Sequence, residues 1–139
     1  MSMENIMDKG QMPGSLELAY LGDTLWDLYV RERLVVTGGH MKNLHKSAVS
    51  MVRASAQSEA LSRIEGELTG EEAAVVRRAR NAHQTPPHHA DYHDYCRATA
   101  LEALMGYLYL RGQQERMQRL MAQALPDEIL EGAISAWHR

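Results

Sequence analysis

Two stretches decide how this chain folds, LELAYLGDTLWDLYV at residues 16–30 and ATALEALMGYLYL at residues 98–110. In both, apolar side chains recur at helical spacing, and neither shows the strict alternation of a half-buried strand. The first predicts a helix over 15–35, with Ser15 as N-cap after Pro13-Gly14 and Gly38-Gly39 as the stop. Leu16, Tyr20, Trp26, Val30 and Leu34 mark one face, and Leu18, Leu21, Leu25 and Leu28 another. A helix that is apolar nearly all round is expected at the centre of a fold. The second stretch lies in a helix expected over 92–111, with Ala98, Leu101, Met105 and Leu108 on one stripe, Leu104 and Tyr107 beside it, and Gly112 ending it.

Each apolar stretch contains a carboxylate, Asp23 in the first and Glu102 in the second. Burying a lone carboxylate costs several kcal/mol unless it is paired or bound to a cation. The bland reading is that each points to solvent or accepts a bond from an arginine such as Arg97. Two such intrusions, one per central helix, weigh against it. If the helices pack side by side, the carboxylates converge on one divalent ion, and oxygen-only ligation favours magnesium, or manganese in its place. Magnesium beside a phosphodiester activates water and neutralises charge on the leaving oxygen, which is nuclease chemistry.

Working outward, residues 41–64 carry Leu44, Val49, Val52, Ala56, Ala60 and Ile64, a second helical pattern with room for one break in its serine-rich middle, ending at Gly66. Thr69 and Glu72 have capping-box spacing and open a third helix to about Arg80 or Asn81. QTPPHHADYHD at 84–94 follows, a loop because two prolines cannot continue a helix. Two shorter helices, 113–124 and 127–137, are separated by Pro126. No segment predicts a sheet, so the expected class is all-α, with residues 1–139 as a single domain and 1–13 as a flexible N-terminus.

Composition narrows the functional classes. At 139 residues, 45% hydrophobic and 24% charged, the chain suits one soluble globular domain. The single cysteine, Cys96, excludes an intramolecular disulfide and a cysteine-based metal site, and it favours the cytoplasm. Residues 1–14 lack the apolar core of a signal peptide, and no run approaches the roughly 20 apolar residues of a membrane span. The net charge of −3 argues weakly against nucleic acid, yet Arg77, Arg78 and Arg80 cluster, as do Lys42 and Lys46. Acidic charge concentrates elsewhere, at Glu65, Glu67, Glu71, Glu72, Asp127, Glu128 and Glu131, which leaves room for a basic face.

The stretches at 16–30 and 98–110 closely resemble the two acidic signatures of the ribonuclease III catalytic domain, one built around Leu-Gly-Asp and the other around Glu-Ala-Leu-x-Gly. The likeness runs from about Leu16 to Met121. It is closest to the short Mini-ribonuclease III branch, which has no double-stranded-RNA-binding domain, and RRARNAH at 77–83 with YCRATALEALMGY at 95–107 looks like that branch too. The resemblance implies a ribonuclease III-like fold and a magnesium-dependent endoribonuclease of double-stranded or structured RNA, with Asp23 and Glu102 as catalytic metal ligands. It further implies a homodimer whose two sites cut opposite strands, leaving 5′-phosphate and 3′-hydroxyl ends with a short 3′ overhang. Maturation of large-subunit (23S) ribosomal RNA precursor, with a ribosomal protein as helper, is the role it suggests. The other reading is a catalytically inactive RNA-binding dimer of this fold associated with ribosomes.

Three signature carboxylates of the larger enzymes are absent, because Ala19, Thr99 and Leu16 occupy their positions. More of the metal shell must then come from water, substrate phosphate or a neutral oxygen such as that of Thr99. Arg77, Arg78, Arg80 and Asn81, followed by Lys42 and Lys46, are the candidates for holding RNA through phosphates and 2′-hydroxyls. His88, His89, Asp91, His93 and Asp94 superficially suggest a His-Asp phosphohydrolase, but the prolines put them in a loop, better read as approaching an RNA groove or as polar surface. Cys96 is read as a small packed residue, and Trp26, Tyr107 and Tyr109 as core or dimer contacts.

Overall fold

The computed structural model describes residues 11–37, 40–88 and 90–137. Seven α-helices and one 3-10 turn occur among them, with no strand: α1 (Ser15–Thr37), α2 (Met41–Val52), α3 (Ala54–Ile64), the turn Glu65–Glu67, α4 (Gly70–Arg80), α5 (Tyr92–Leu110), α6 (Gln114–Ala124) and α7 (Asp127–Trp137). The all-α expectation holds. The Gly38-Gly39 stop and most of the N-terminal stretch 1–13 lie outside the described residues.

Local chemistry sets most boundaries. Thr69 and Glu72 form the expected capping box, each side chain meeting the other's backbone N–H, at 3.2 and 2.9 Å. The Asp91 carboxylate accepts the Asp94 N–H at 2.9 Å and caps α5. At the other end of α5, Gly112 adopts φ +73°, a left-handed conformation that lets the Gln113 N–H reach back to the Leu108 carbonyl at 2.9 Å. The break in the serine-rich middle falls at Arg53, whose extended backbone separates α2 from α3.

α5 is the axis of the molecule, packed by α1, α3, α4 and α6. Every residue from Cys96 to Leu108 is buried except Glu102. Arg97 is buried as well, and it serves α3 rather than either acidic signature: its guanidinium donates to Ser58 Oγ (2.9 Å), the Ser58 carbonyl (3.1 Å), Ser62 Oγ (2.7 Å) and Glu65. A buried guanidinium with this many acceptors fixes α3 against α5 in one register.

α1 departs from the expected picture of an all-round apolar helix. Only one side is buried, along Leu18, Gly22, Trp26, Val30 and Leu34 with Ala19 beside it, while Leu16, Tyr20 and Leu28 are exposed, Tyr20 at 84%. The buried residues recur every four positions, and Gly22 hides the row because it has no side chain to count. The glycine is there for clearance. A Cβ at Gly22 would lie 1.6 Å from the Glu102 carbonyl oxygen, and one at Gly106 would lie 2.2 Å from that of Leu18. Each glycine thus faces the backbone of the residue four positions before the other, so α1 and α5 cross antiparallel at closer range than side chains would permit.

Neither backbone oxygen can move away without opening the interface, so Gly22→Ala and Gly106→Ala should each cost about 3 kcal/mol or more in urea unfolding. Gly132→Ala, on a helix position with open space around it, should be neutral or stabilising by up to about 1 kcal/mol. Equal effects at all three positions would contradict the close crossing.

Candidate active site at the crossing of two helices

The crossing puts Asp23 next to Glu102. Asp23 follows Gly22 on α1 and is exposed, whereas Glu102, whose backbone receives Gly22, is half-buried on α5. Asp23 and Glu102 line the same recess, and Asp23 and the Gln57 side chain of α3 are the neighbours that act on the Glu102 carboxyl. Burial is the main force on Glu102 and the nearby Asp23 adds to it, pushing its pKa up to about 8, with the Gln57 amide opposing the rise. The expectation of two buried carboxylates is corrected in one respect: Asp23 faces solvent, and only Glu102 bears a desolvation cost.

The pair opens into a recess of about 390 Å³ lined by Leu16, Ala19, Tyr20, Asp23, Gln84, Tyr95, Thr99 and Glu102. All three positions without their signature carboxylate, 16, 19 and 99, therefore face this one space. The Thr99 hydroxyl donates to the Tyr95 carbonyl (3.0 Å) and accepts from Gln84 Nε2 (3.1 Å), which ties the loop before α5 to the recess wall. A larger hollow of about 870 Å³ between the starts of α4 and α6 offers less chemistry, because its Arg116 is committed to Glu72 at 2.8 Å.

The basic candidates divide. Arg77, Arg78, Arg80 and Asn81 are exposed at the end of α4, and Asn81 is three residues from Gln84, so they stand at the entrance to the loop that borders the recess. Lys42 and Lys46 are exposed on α2, which packs along α1 near Leu34 and Val35, about 16 Å along the helix axis from Asp23. The structure does not bring the lysines to the carboxylates.

The His-Asp loop also changes. His93 and Asp94 belong to the first turn of α5 rather than to the loop, and the ligand atoms of Asp91, His93 and Asp94 lie within 4.8 Å of one another. Asp91 is already the helix cap, and His93 is exposed. His89 lies outside the described residues. Cys96 is buried with a free thiol, Trp26 is 1% exposed in the core, and Tyr107 is buried with its hydroxyl 3.3 Å from Glu71.

Two residues of the site escaped sequence reasoning. Gln57 sits on an otherwise unremarked helix 45 positions before Glu102, and nothing in a single sequence pairs them. Gln84 belongs to the loop expected to approach an RNA groove or to form polar surface, whereas its amide is used internally on Thr99.

With this geometry established, comparison with known proteins is direct. The profile of the Ribonuclease III domain matches residues 16–113, from the recess residue Leu16 to just beyond α5. The chain belongs to the ribonuclease III family. It is 45% identical to Mini-ribonuclease 3 of Symbiobacterium thermophilum over 84% of this chain and 91% of that protein. Against Mini-ribonuclease 3 of Brevibacillus brevis the figure is 40%, over 95% and 98%. A crystal structure of a protein from Fusobacterium nucleatum superposes with a TM-score of 0.73 at 33% identity, covering 78% of this chain and 89% of that one. The resemblance to the Mini-ribonuclease III branch therefore stands, and the chain is an endoribonuclease.

A carboxyl whose pKa is raised by folding binds its proton more tightly in the native chain than in the unfolded one. Glu102 consequently favours folding most below about pH 4.5, and that contribution is lost as the pH rises toward about 8. In chelator, unfolding midpoints of the parent protein should fall relative to those of Glu102→Gln across this window. Parallel pH profiles for the two proteins would remove the burial argument.

Proposed function

We propose that this chain is a magnesium-dependent endoribonuclease of double-stranded or structured RNA, in which Asp23 and Glu102 hold the cation and carry the chemistry. The observation that supports this is the carboxyl pair itself: two acids are held together at the mouth of an open recess, one of them under a desolvation cost that a cation would relieve. Oxygen-only donors suit a hard divalent ion, with manganese able to replace magnesium. Bound there, magnesium supplies an activated water and neutralises charge on the leaving oxygen. The exposed Asp23 and the half-buried Glu102 would hold the ion through their carboxylate oxygens. Ala19 and Leu16 offer no side-chain oxygen, so water and substrate phosphate would have to complete the shell, with the Thr99 hydroxyl as a supporting donor.

The active form in this reading is a homodimer with one site per subunit, each cutting one strand to leave 5′-phosphate and 3′-hydroxyl ends. A single site could only nick. The exposed Leu16, Tyr20 and Leu28, on the side of α1 that the core leaves uncovered, support a second protomer there. RNA is held through phosphates and 2′-hydroxyls by Arg77, Arg78, Arg80 and Asn81, with Lys42 and Lys46 as outlying contacts on a long duplex. In this reading, suggested by the family resemblance, the physiological substrate is 23S ribosomal RNA precursor in the cytoplasm, with a ribosomal protein as helper. No helix of the described residues is long and apolar enough to cross a membrane.

Purified protein incubated with a long RNA duplex should cleave it with magnesium or manganese and not with chelator. Losing a ligand forfeits several kcal/mol of charge stabilisation, so Asp23→Asn and Glu102→Gln should each lower the cleavage rate by about 100-fold or more while RNA still binds. Full activity in either variant would refute the assignment.

A further inference from the structure

Gln57 is 4% exposed, on α3, a helix that packs against α5. Its Nε2 donates to the Val52 carbonyl at 2.6 Å, a group freed by the helix break at Arg53, and the same side chain is near enough to Glu102 to act on its carboxyl and oppose the rise in its pKa. Its Oε1 is buried and has no hydrogen-bond partner. Buried amides are normally satisfied at both ends, and an apolar side chain of the same length would fill the space without leaving an orphan. Capping Val52 uses one of the two Nε2 hydrogens, and the second is left for the neighbouring Glu102 carboxylate, which can only accept.

We propose that Gln57 is a positioning residue for Glu102, its amide holding the carboxylate from behind so that the carboxylate faces Asp23 and the recess in a geometry ready for a divalent cation. This rests on the reading of Asp23 and Glu102 as metal ligands and extends it to the residue that aims one of them. Asp23 is exposed and reaches the ion from solvent, but Glu102 is enclosed on an otherwise buried helix and depends on its neighbours for orientation. Arg97 strengthens the arrangement, because its bonds to Ser58, the residue after Gln57, lock α3 and α5 in register at this level. Groups that orient a metal ligand typically affect affinity or activity 10- to 100-fold.

Gln57→Met keeps the length of the side chain and removes the amide. Its manganese dissociation constant, read by electron paramagnetic resonance, should rise about tenfold, and the magnesium midpoint for cleavage should rise by a similar factor. The maximal rate at saturating metal should change much less. A purely structural role would lower the unfolding midpoint and leave both metal constants alone, and that result would overturn the inference.

A second measurement needs no variant of Gln57. In the parent protein, the Gln57 side-chain amide resonances should shift with magnesium along the binding curve, and the shift should vanish in Glu102→Gln. Resonances that ignore magnesium would overturn the proposal even if Gln57→Met fails to fold. Cleavage and metal binding that are intact in the parent and unchanged in Gln57→Met would sink this inference alone. A parent protein that neither binds the ion nor cleaves RNA would remove the metal-site reading and this inference with it.

Discussion

The backbone-to-backbone contact of α1 and α5 is the constraint on which the rest of the molecule depends. Gly22 faces Glu102 and Gly106 faces Leu18, and at neither point is there room for a Cβ. A glycine in mid-helix costs about 1 kcal/mol relative to alanine, so two of them in the central helix pair need a return. Part of that return is packing, since the close approach lets Trp26, Val30 and Leu34 enter the core in the same row as Gly22. The other part is chemical: the residue after one glycine and the residue four before the other are the two carboxylates. The two stretches are thus packing devices that also carry the candidate ligands, and the clearance that joins the helices also joins Asp23 to Glu102.

Around this crossing the fold is held by polar groups that have found partners. Arg97 is buried but donates to Ser58, Ser62 and Glu65, and Glu72 is buried but receives Arg116 while closing its own capping box. The Arg116 guanidinium holds the Glu72 carboxyl below the usual range, the opposite of what burial and Asp23 do to Glu102. Two partly enclosed glutamates in one small protein thus take opposite courses. The one with a guanidinium beside it is structural, and the one facing another acid lies at the candidate site.

Helix existence was legible in the sequence because it rests on short-range chemistry, as with the Thr69–Glu72 box and Gly112. Asp23 and Glu102 were legible as intrusions into apolar runs. The inner face of α1 was misread, because a row that passes through a glycine has a gap in its side chains, and Leu16 and Tyr20 were counted as buried while Gly22 was not. Gln57 was invisible, since its partnership with Glu102 depends on how α3 docks and not on any local spacing. Likewise, Lys42 and Lys46 looked equivalent to the arginines in charge but fall beside the far end of α1.

Membership of the ribonuclease III family gives the recess and its carboxyl pair their chemical context. The central claim is that the glycine crossing creates one divalent-cation site, at Asp23 and Glu102. Anomalous diffraction from crystals soaked in manganese tests this most directly. The account predicts a peak between Asp23 and Glu102, whereas a peak only at Asp91, His93 and Asp94 would contradict it.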